Sequence, residues 1–316
     1  MTPTRNRPVL LAIGGAHIDR RGQVLGDYHP GASNPGAMRE EIGGVVFNAL
    51  RAAVRLGVAG QLISLRGGDT VGDAIARTIV AERIDDRSAV FLDRASASYT
   101  AIIDQSGDLI VGFADMGLYD QFSRQLRRNA CRDAIKAADA VLCDANLPAA
   151  ALELATSGPP AAKRYAIGIS PAKVVRLAGL LDRVDCLFVN RKEAAALTRL
   201  TRETAVTELA ARLLAAGLAG GVITDGAAAL TAFDATGLWS LAPPRPRRIA
   251  DVTGAGDALA GATICGLMRG LTLPEALRHG AAAAMLTLET SNVVAALEPE
   301  PFAQALAMTP PAVQLD

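Results

Sequence analysis

Little in this chain commits it to metal, disulfide or membrane chemistry. Its four cysteines, Cys131, Cys143, Cys186 and Cys265, lie far apart and mostly inside apolar runs. No pair has zinc-ligand spacing, so they read as buried free thiols of a reducing compartment. Lysine is scarce: Lys136, Lys163, Lys173 and Lys192 are the whole set. Acids and bases balance at 32 each, which excludes a strong field for nucleic acid or an anionic membrane. Arg245, Arg247 and Arg248 read as a solvated loop. No apolar run reaches spanning length. Val9–Ile18 imitates a signal peptide but lacks a small-residue cleavage site and contains Gly14-Gly15, so a buried first strand is expected. A soluble cytoplasmic protein follows.

Several chemistries are missing by motif. There is no Gly-Lys pair, hence no P-loop. Gly14-Gly15 and Gly254-Ala-Gly256 both lack the third glycine of a dinucleotide fingerprint. No G-x-S-x-G elbow and no H-E-x-x-H occurs. No internal repeat is visible.

What is present begins at Asp251-Val-Thr-Gly-Ala-Gly-Asp257. A glycine-rich turn opens an apolar, helix-forming run from Ala258 to Met268. Such a turn offers free backbone N–H groups at the positive end of a helix dipole, which makes an anion site. A carboxylate beside that site would be repelled by a resident phosphate. Asp257 therefore suggests a base acting on a hydroxyl next to a transferring phosphoryl group. A helix N-terminal acid stabilised by the dipole is the plainer alternative.

Along the chain, strands at Val9–Ile13, Gln61–Leu65, Ala140–Cys143, Tyr165–Ile169, Leu187–Val189 and Gly221–Thr224 alternate with helical runs. The first clear helical runs are Gly44–Leu56 and Val71–Ile84. The pattern predicts an α/β fold with a mostly parallel sheet covered by helices. Residues 20–42 lack helical period. Ala89–Leu92, Tyr99–Asp104 and Leu109–Phe113 are short β-prone runs, with a hairpin turn at residues 105–108. Together these predict a small second sheet. A late hairpin is expected from Leu230–Phe233 and Leu238–Leu241, and Ala258–Met268 and Pro274–Leu288 read as the last long helices.

Asp19 follows the first strand, at the edge where open α/β sheets bind ligands. Gly43-Gly44 opens a helix and lets a ligand approach the backbone, and Asn48 lies one turn further in. An acid, an amide and bare backbone suit the vicinal hydroxyls of a sugar. A turn-capping acid at Asp19 would look the same.

With these residues the chain resembles the ribokinase-like (PfkB) sugar and nucleoside kinases. Gly43-Gly44-Val-Val-Phe-Asn48 matches the family's Gly-Gly-x-x-x-Asn. Asp251-Val-Thr-Gly-Ala-Gly-Asp257 is close to its Asp-Thr-Gly-Ala-Gly-Asp. The two stand in order, roughly two hundred residues apart. Within the family, the chain is most similar to the branch that acts on pseudouridine, through Gly14–Asp19, Ser33-Asn-Pro-Gly36, Asp144-Ala-Asn-Leu-Pro148, Ser170-Pro-Ala-Lys173 and Asn190-Arg-Lys-Glu193. Two positions depart from that branch: Phe47 stands where arginine is usual, and His17 where asparagine is.

The resemblance implies one kinase domain over residues 1–316, a three-layer α/β/α sandwich. A β-sheet lid from about 20–42 and 88–114 would cover the substrate and pair two subunits as a homodimer. It implies a phosphotransferase acting on an alcohol group, moving phosphate from ATP to the 5′-hydroxyl of pseudouridine. Another nucleoside or free ribose is the alternative substrate, and a non-catalytic sensor the alternative role. Asp257 would be the base, and Gly254, Ala255 and Gly256 the anion hole. Asp19, Gly43, Gly44, Asn48, Asn146 and Lys173 would bind the nucleoside, although Lys173 also reads as a solvated helix-start residue. Asn190, Thr224, Gly226 and Asn292 would contact the nucleotide. Glu193 would order Mg²⁺ through its waters, and Asp251 and Thr253 could offer backbone oxygens to K⁺. Tyr99 reads as lid packing or a base contact, and Asn34 and Asn146 as candidate readers of the base.

Overall fold

The computed structural model describes residues 7–159 and 161–315. Ten strands form the main sheet. From one edge they run Val313–Leu315, Gly237–Leu241, Leu230–Asp234, Gly220–Thr224, Cys186–Asn190, Lys163–Ile167, Ala140–Asp144, Val9–Ile13, Ala59–Ile63 and Asp85–Asp86. The seven from Gly220–Thr224 to Asp85–Asp86 are parallel, and the other three are antiparallel. Buried apolar residues fill both sides of the sheet. Leu11, Ile13, Val141 and Leu187 belong to one core, and Leu10, Ala12, Leu142 and Phe188 to the other. Period-two alternation places successive residues on opposite faces, and with both faces covered the strands read as continuous apolar runs.

Val9–Ile13 has Ala59–Ile63 on one side and Ala140–Asp144 on the other. The chain order reverses there, and crevices of this kind open at the carboxyl ends of such strands. The same edge continues through Asp144 beside Ile167, and Asn190 beside Thr224.

A second sheet has four strands, in the order Gly36–Gly43, His17–Val24, Ser98–Ile103 and Leu109–Asp115. It starts earlier than the expected boundary, at His17, because the first strand leads directly into it across Gly14-Gly15. The expected run at Ala89–Leu92 does not join it. Ala89–Phe91 pairs instead with Leu65–Gly67, as a separate two-stranded ribbon. The hairpin turn is as expected: Asp104 exchanges backbone bonds with Gly107 and Asp108, and Gly107 has φ 89. Two features outside the expected pattern close the chain, the helix Pro299–Met308 and the edge strand Val313–Leu315. All four cysteines are free and buried. No helix of the described residues is long and apolar enough to cross a membrane.

Candidate active site

The helix Ala255–Met268 begins at Gly254, whose φ of 78 and ψ of −8 are left-handed. No side chain caps it, so its first N–H groups are available to an anion. A methyl group on Gly254 would lie 1.9 Å from the Val293 carbonyl oxygen. Glycine is thus required twice, by the turn and by the close approach of the 290–295 segment. Gly256, by contrast, has open space where a side chain would project.

Asp257 sits in the first turn of this helix. Its Oδ2 accepts a hydrogen bond from Asn48 Nδ2 at 2.9 Å, which fixes one oxygen and leaves the carboxyl at the mouth of the helix. Burial pushes this carboxyl up to about 7, and the neighbouring charges of Asp144 and Asp19 push the same way. The Asn48 bond and His17 oppose them. A carboxylate that titrates near neutrality is a competent base at physiological pH.

Asn48 lies on the helix Val45–Arg55 and is buried. Its Oδ1 has no hydrogen-bond partner within the protein, an acceptor that a donor hydroxyl would satisfy. Asp19 approaches from the second sheet. A methyl on Gly43 would meet Asp19 Oδ2 at 2.4 Å and lie 3.8 Å from Asn48 Nδ2. Gly43 therefore separates the acid from the amide. Gly44, with φ 123, serves packing rather than open approach: a methyl there would strike the Gly15 carbonyl at 2.1 Å.

His17 takes part in a short chain of contacts. Its Nε2 is 3.1 Å from Asp19 Oδ1, and its Nδ1 is 2.9 Å from the Tyr119 hydroxyl. With one ring nitrogen on Asp19 and the other on that hydroxyl, His17 ties the second sheet to Tyr119 of the main domain. Burial raises the Tyr119 pKa well above its ordinary value, so the hydroxyl keeps its proton.

Asn146 and Lys173 come together, with Lys173 Nζ donating to Asn146 Oδ1 at 2.5 Å. Burial, with Arg176 beside it, lowers the Lys173 pKa. Asn34 does not join them. It staples its own loop through the backbone of His29 and Ala32. Asn190 and Glu193 stand at the carboxyl edge as a reciprocal capping box, each side chain bonded to the other's backbone N–H at 3.0 Å. Burial raises the Glu193 carboxyl above its ordinary range, a shift that a nearby cation would reverse. Thr224 is beside Asn190 in register, and Gly226 follows with φ 60 and free space around it. Asn292 is exposed and lines a different cavity, with Arg51, Arg55 and Arg83.

The second sheet closes over a cavity of about 560 Å³, lined among others by Asp19, Arg21, Arg39, Glu41, Tyr99 and Val293. Two of its side chains latch the sheet to the main domain. Arg21 donates to Asp251 Oδ2 at 2.6 Å and to Thr253 Oγ1 at 2.5 Å. Glu41 accepts the Val293 N–H at 3.1 Å. Arg21 thus occupies the side chains of both residues expected near K⁺, leaving only their backbone oxygens to a cation. Arg21, Glu41, Tyr119 and Asp144 are absent from the sequence-based site. Arg21 was within reach of it, because it is two residues beyond Asp19 and so shares its face of a strand. Tyr119 left no sequence signal.

Fold and edge together define a class: an open α/β protein with a pocket beneath a second sheet, an uncapped helix N-terminus and a carboxyl beside it. The model of the pfkB family of carbohydrate kinases matches residues 8–300. The chain belongs to that family of phosphotransferases, on a ribokinase-like fold. It is 26% identical over 301 residues to the pseudouridine kinase of Escherichia coli K12, covering 91% of this chain and 93% of that one. A carbohydrate kinase from Agrobacterium tumefaciens superposes with a TM-score of 0.85 at 42% identity, covering 98% of this chain and all of the other (100%). The ribokinase of Arabidopsis thaliana, solved with ribose and ATP, superposes at 0.83 with 18% identity, covering 95% and 99%.

Proposed function

We propose that this protein transfers the γ-phosphoryl group of ATP to the 5′-hydroxyl of pseudouridine. The observation that carries the chemistry is the Asp257 carboxyl, basic near neutrality and held by Asn48 at an open helix N-terminus. Asp257 takes the hydroxyl proton as the oxygen attacks the γ-phosphorus. The bond to the β–γ bridging oxygen breaks, and ADP leaves. The N–H groups of Gly254, Ala255 and Gly256 face the charge that develops on the transferring group. Asp19 and Asn48 hold the ribose hydroxyls across Gly43, with Asn146 and Lys173 beside them. Thr224 and Gly226 border the path of the phosphates, and Asn190 orients Glu193. Mg²⁺ would neutralise the phosphates, and Glu193, a buried carboxylate near the edge, suits an ion that keeps most of its waters.

The choice of nucleoside rests on the full-length likeness to the bacterial pseudouridine kinase. Pseudouridine offers an N1–H that uridine lacks, and a pocket that accepts this donor should reject the mismatch. ADP release with pseudouridine, uridine, other nucleosides, ribose and fructose tests this. Pseudouridine should lead uridine and ribose by at least about 100-fold in kcat/KM. Equal turnover of uridine or ribose would replace it with the broader nucleoside or sugar kinase. No turnover with any of them would favour a sensor.

The outer face of the lid supports a homodimer. Met38, Gly22, Ile102 and Val111 form one cross-strand row, and Phe113 stands in the next. Met38, Val111 and Phe113 are 53%, 52% and 67% exposed. A sheet face of this kind is covered by a second copy in a closed twofold pair. Light scattering should give twice the chain mass for wild type and the single mass for Phe113→Glu. A monomeric wild type at micromolar concentration would end the dimer proposal.

A further inference from the structure

Asp144 ends the strand next to Val9–Ile13 and is 1% exposed. Its Oδ1 accepts the Asn146 N–H at 2.8 Å. Its Oδ2 is buried without a partner, and a methyl on Gly14 would lie 3.2 Å from it. The neighbouring helix, Val45–Arg55, has glycine at its N-cap, no side-chain cap and no acid in its first turn. That helix carries Asn48, and Asn48 holds Asp257. Val46, in the helix's first turn, crowds the same point, 2.5 Å from the Gly14 methyl position, and its backbone favours the ionised Asp144. A carboxylate supplied from another strand is therefore the acid that this helix end lacks.

We propose that Asp144 is a positioning residue for phosphoryl transfer: a buried anion at the start of the Asn48 helix that also sets the field around Asp257. It rests on Asp257 being the base. The groups facing Asp257 are Asp144, Asp19 and His17, with the Asn48 amide. Those facing Asp144 are His17, Lys173, Tyr119 and Asp257, with the neighbouring thiol of Cys143. Burial pushes Asp144 up to about 6, with the Asn146 and Val46 N–H groups, His17 and Lys173 opposing it. The two carboxyls therefore titrate close together and repel one another, so that ionising one raises the other.

Asp144→Asn keeps the shape and the acceptor for the Asn146 N–H but removes the charge. The acid limb of kcat/KM against pH should move to lower pH by about half a unit, roughly a threefold gain on the limb relative to the plateau. A merely structural role predicts a lower Tm with the limb in place, and that result overturns the proposal. Wild-type protein with ¹³C-carboxyl aspartate gives a second reading that needs no Asp144 variant. The Asp257 resonance, assigned with Asp257→Asn, should titrate in two steps; a single uncoupled step overturns the proposal. If Asp257→Asn keeps full turnover, the base assignment fails, while the two-step titration still reports whether the carboxyls are coupled.

Discussion

Asp257→Asn should lower kcat by about 10³-fold while KM for the nucleoside stays within about threefold. The amide keeps the size of the carboxyl and can still bond to Asn48, so binding survives. It cannot accept the hydroxyl proton. In wild type, kcat/KM should fall about tenfold per pH unit below about pH 7, where the carboxyl becomes protonated. The same substitution should make the fold more stable at high pH. Unfolded, the carboxyl titrates near 3.8; folded, near 7. Between those values the native state binds a proton that the unfolded chain has lost, so stability falls as pH rises through the window. Asparagine carries no such charge. The Tm advantage of the variant should widen by a few degrees between pH 5 and pH 8, as for other sites that trade stability for activity. Undiminished kcat in the variant would remove Asp257 as the base.

The main sheet was legible because its strands are buried on both faces, and runs such as Val9–Ile13 and Ala140–Cys143 show that without a partner. The two glycine motifs were legible because backbone geometry leaves no other choice at Gly44 and Gly254. The lid was harder to read. In residues 17–24 Asp19, Arg21 and Gln23 share one face, while Arg20 and Gly22 interrupt Ile18 and Val24 on the other, so neither face gives a clean period-two signal. Ala89–Phe91 looks like a lid strand because pairing partners are not encoded locally. The latch from Arg21 to Asp251 spans 230 residues, and Asp144 acts on a helix from a different strand. Both depend on the folded topology. Asn190 and Glu193 are ambiguous for a different reason. One spacing serves both a capping box and a cation site, and in the folded chain these two residues do form the cap.

Gly254→Ala and Gly256→Ala should separate architecture from chemistry at the proposed anion hole. In Gly254→Ala the new methyl must occupy a left-handed position, and it overlaps the Val293 carbonyl. Val293 cannot yield freely. Its N–H is bound by Glu41 of the lid, and Arg55 donates to the carbonyls of Val294 and Ala295 at 2.9 and 2.6 Å. The strain therefore passes to the turn, to the lid latch and to the first N–H groups of the helix. A loss of roughly 2 kcal/mol in stability and about 10²-fold in kcat is expected. Gly256→Ala meets nothing within 4 Å and lies in the first turn of a helix, where alanine is favoured. Its Tm should match or slightly exceed that of wild type. Any fall in turnover must then come from the methyl reaching into the space where the phosphoryl group passes, seen as a raised KM for ATP with kcat lowered less than in Gly254→Ala. Wild-type kinetics for Gly256→Ala would move the transferring group away from this helix, whatever Gly254→Ala had lost.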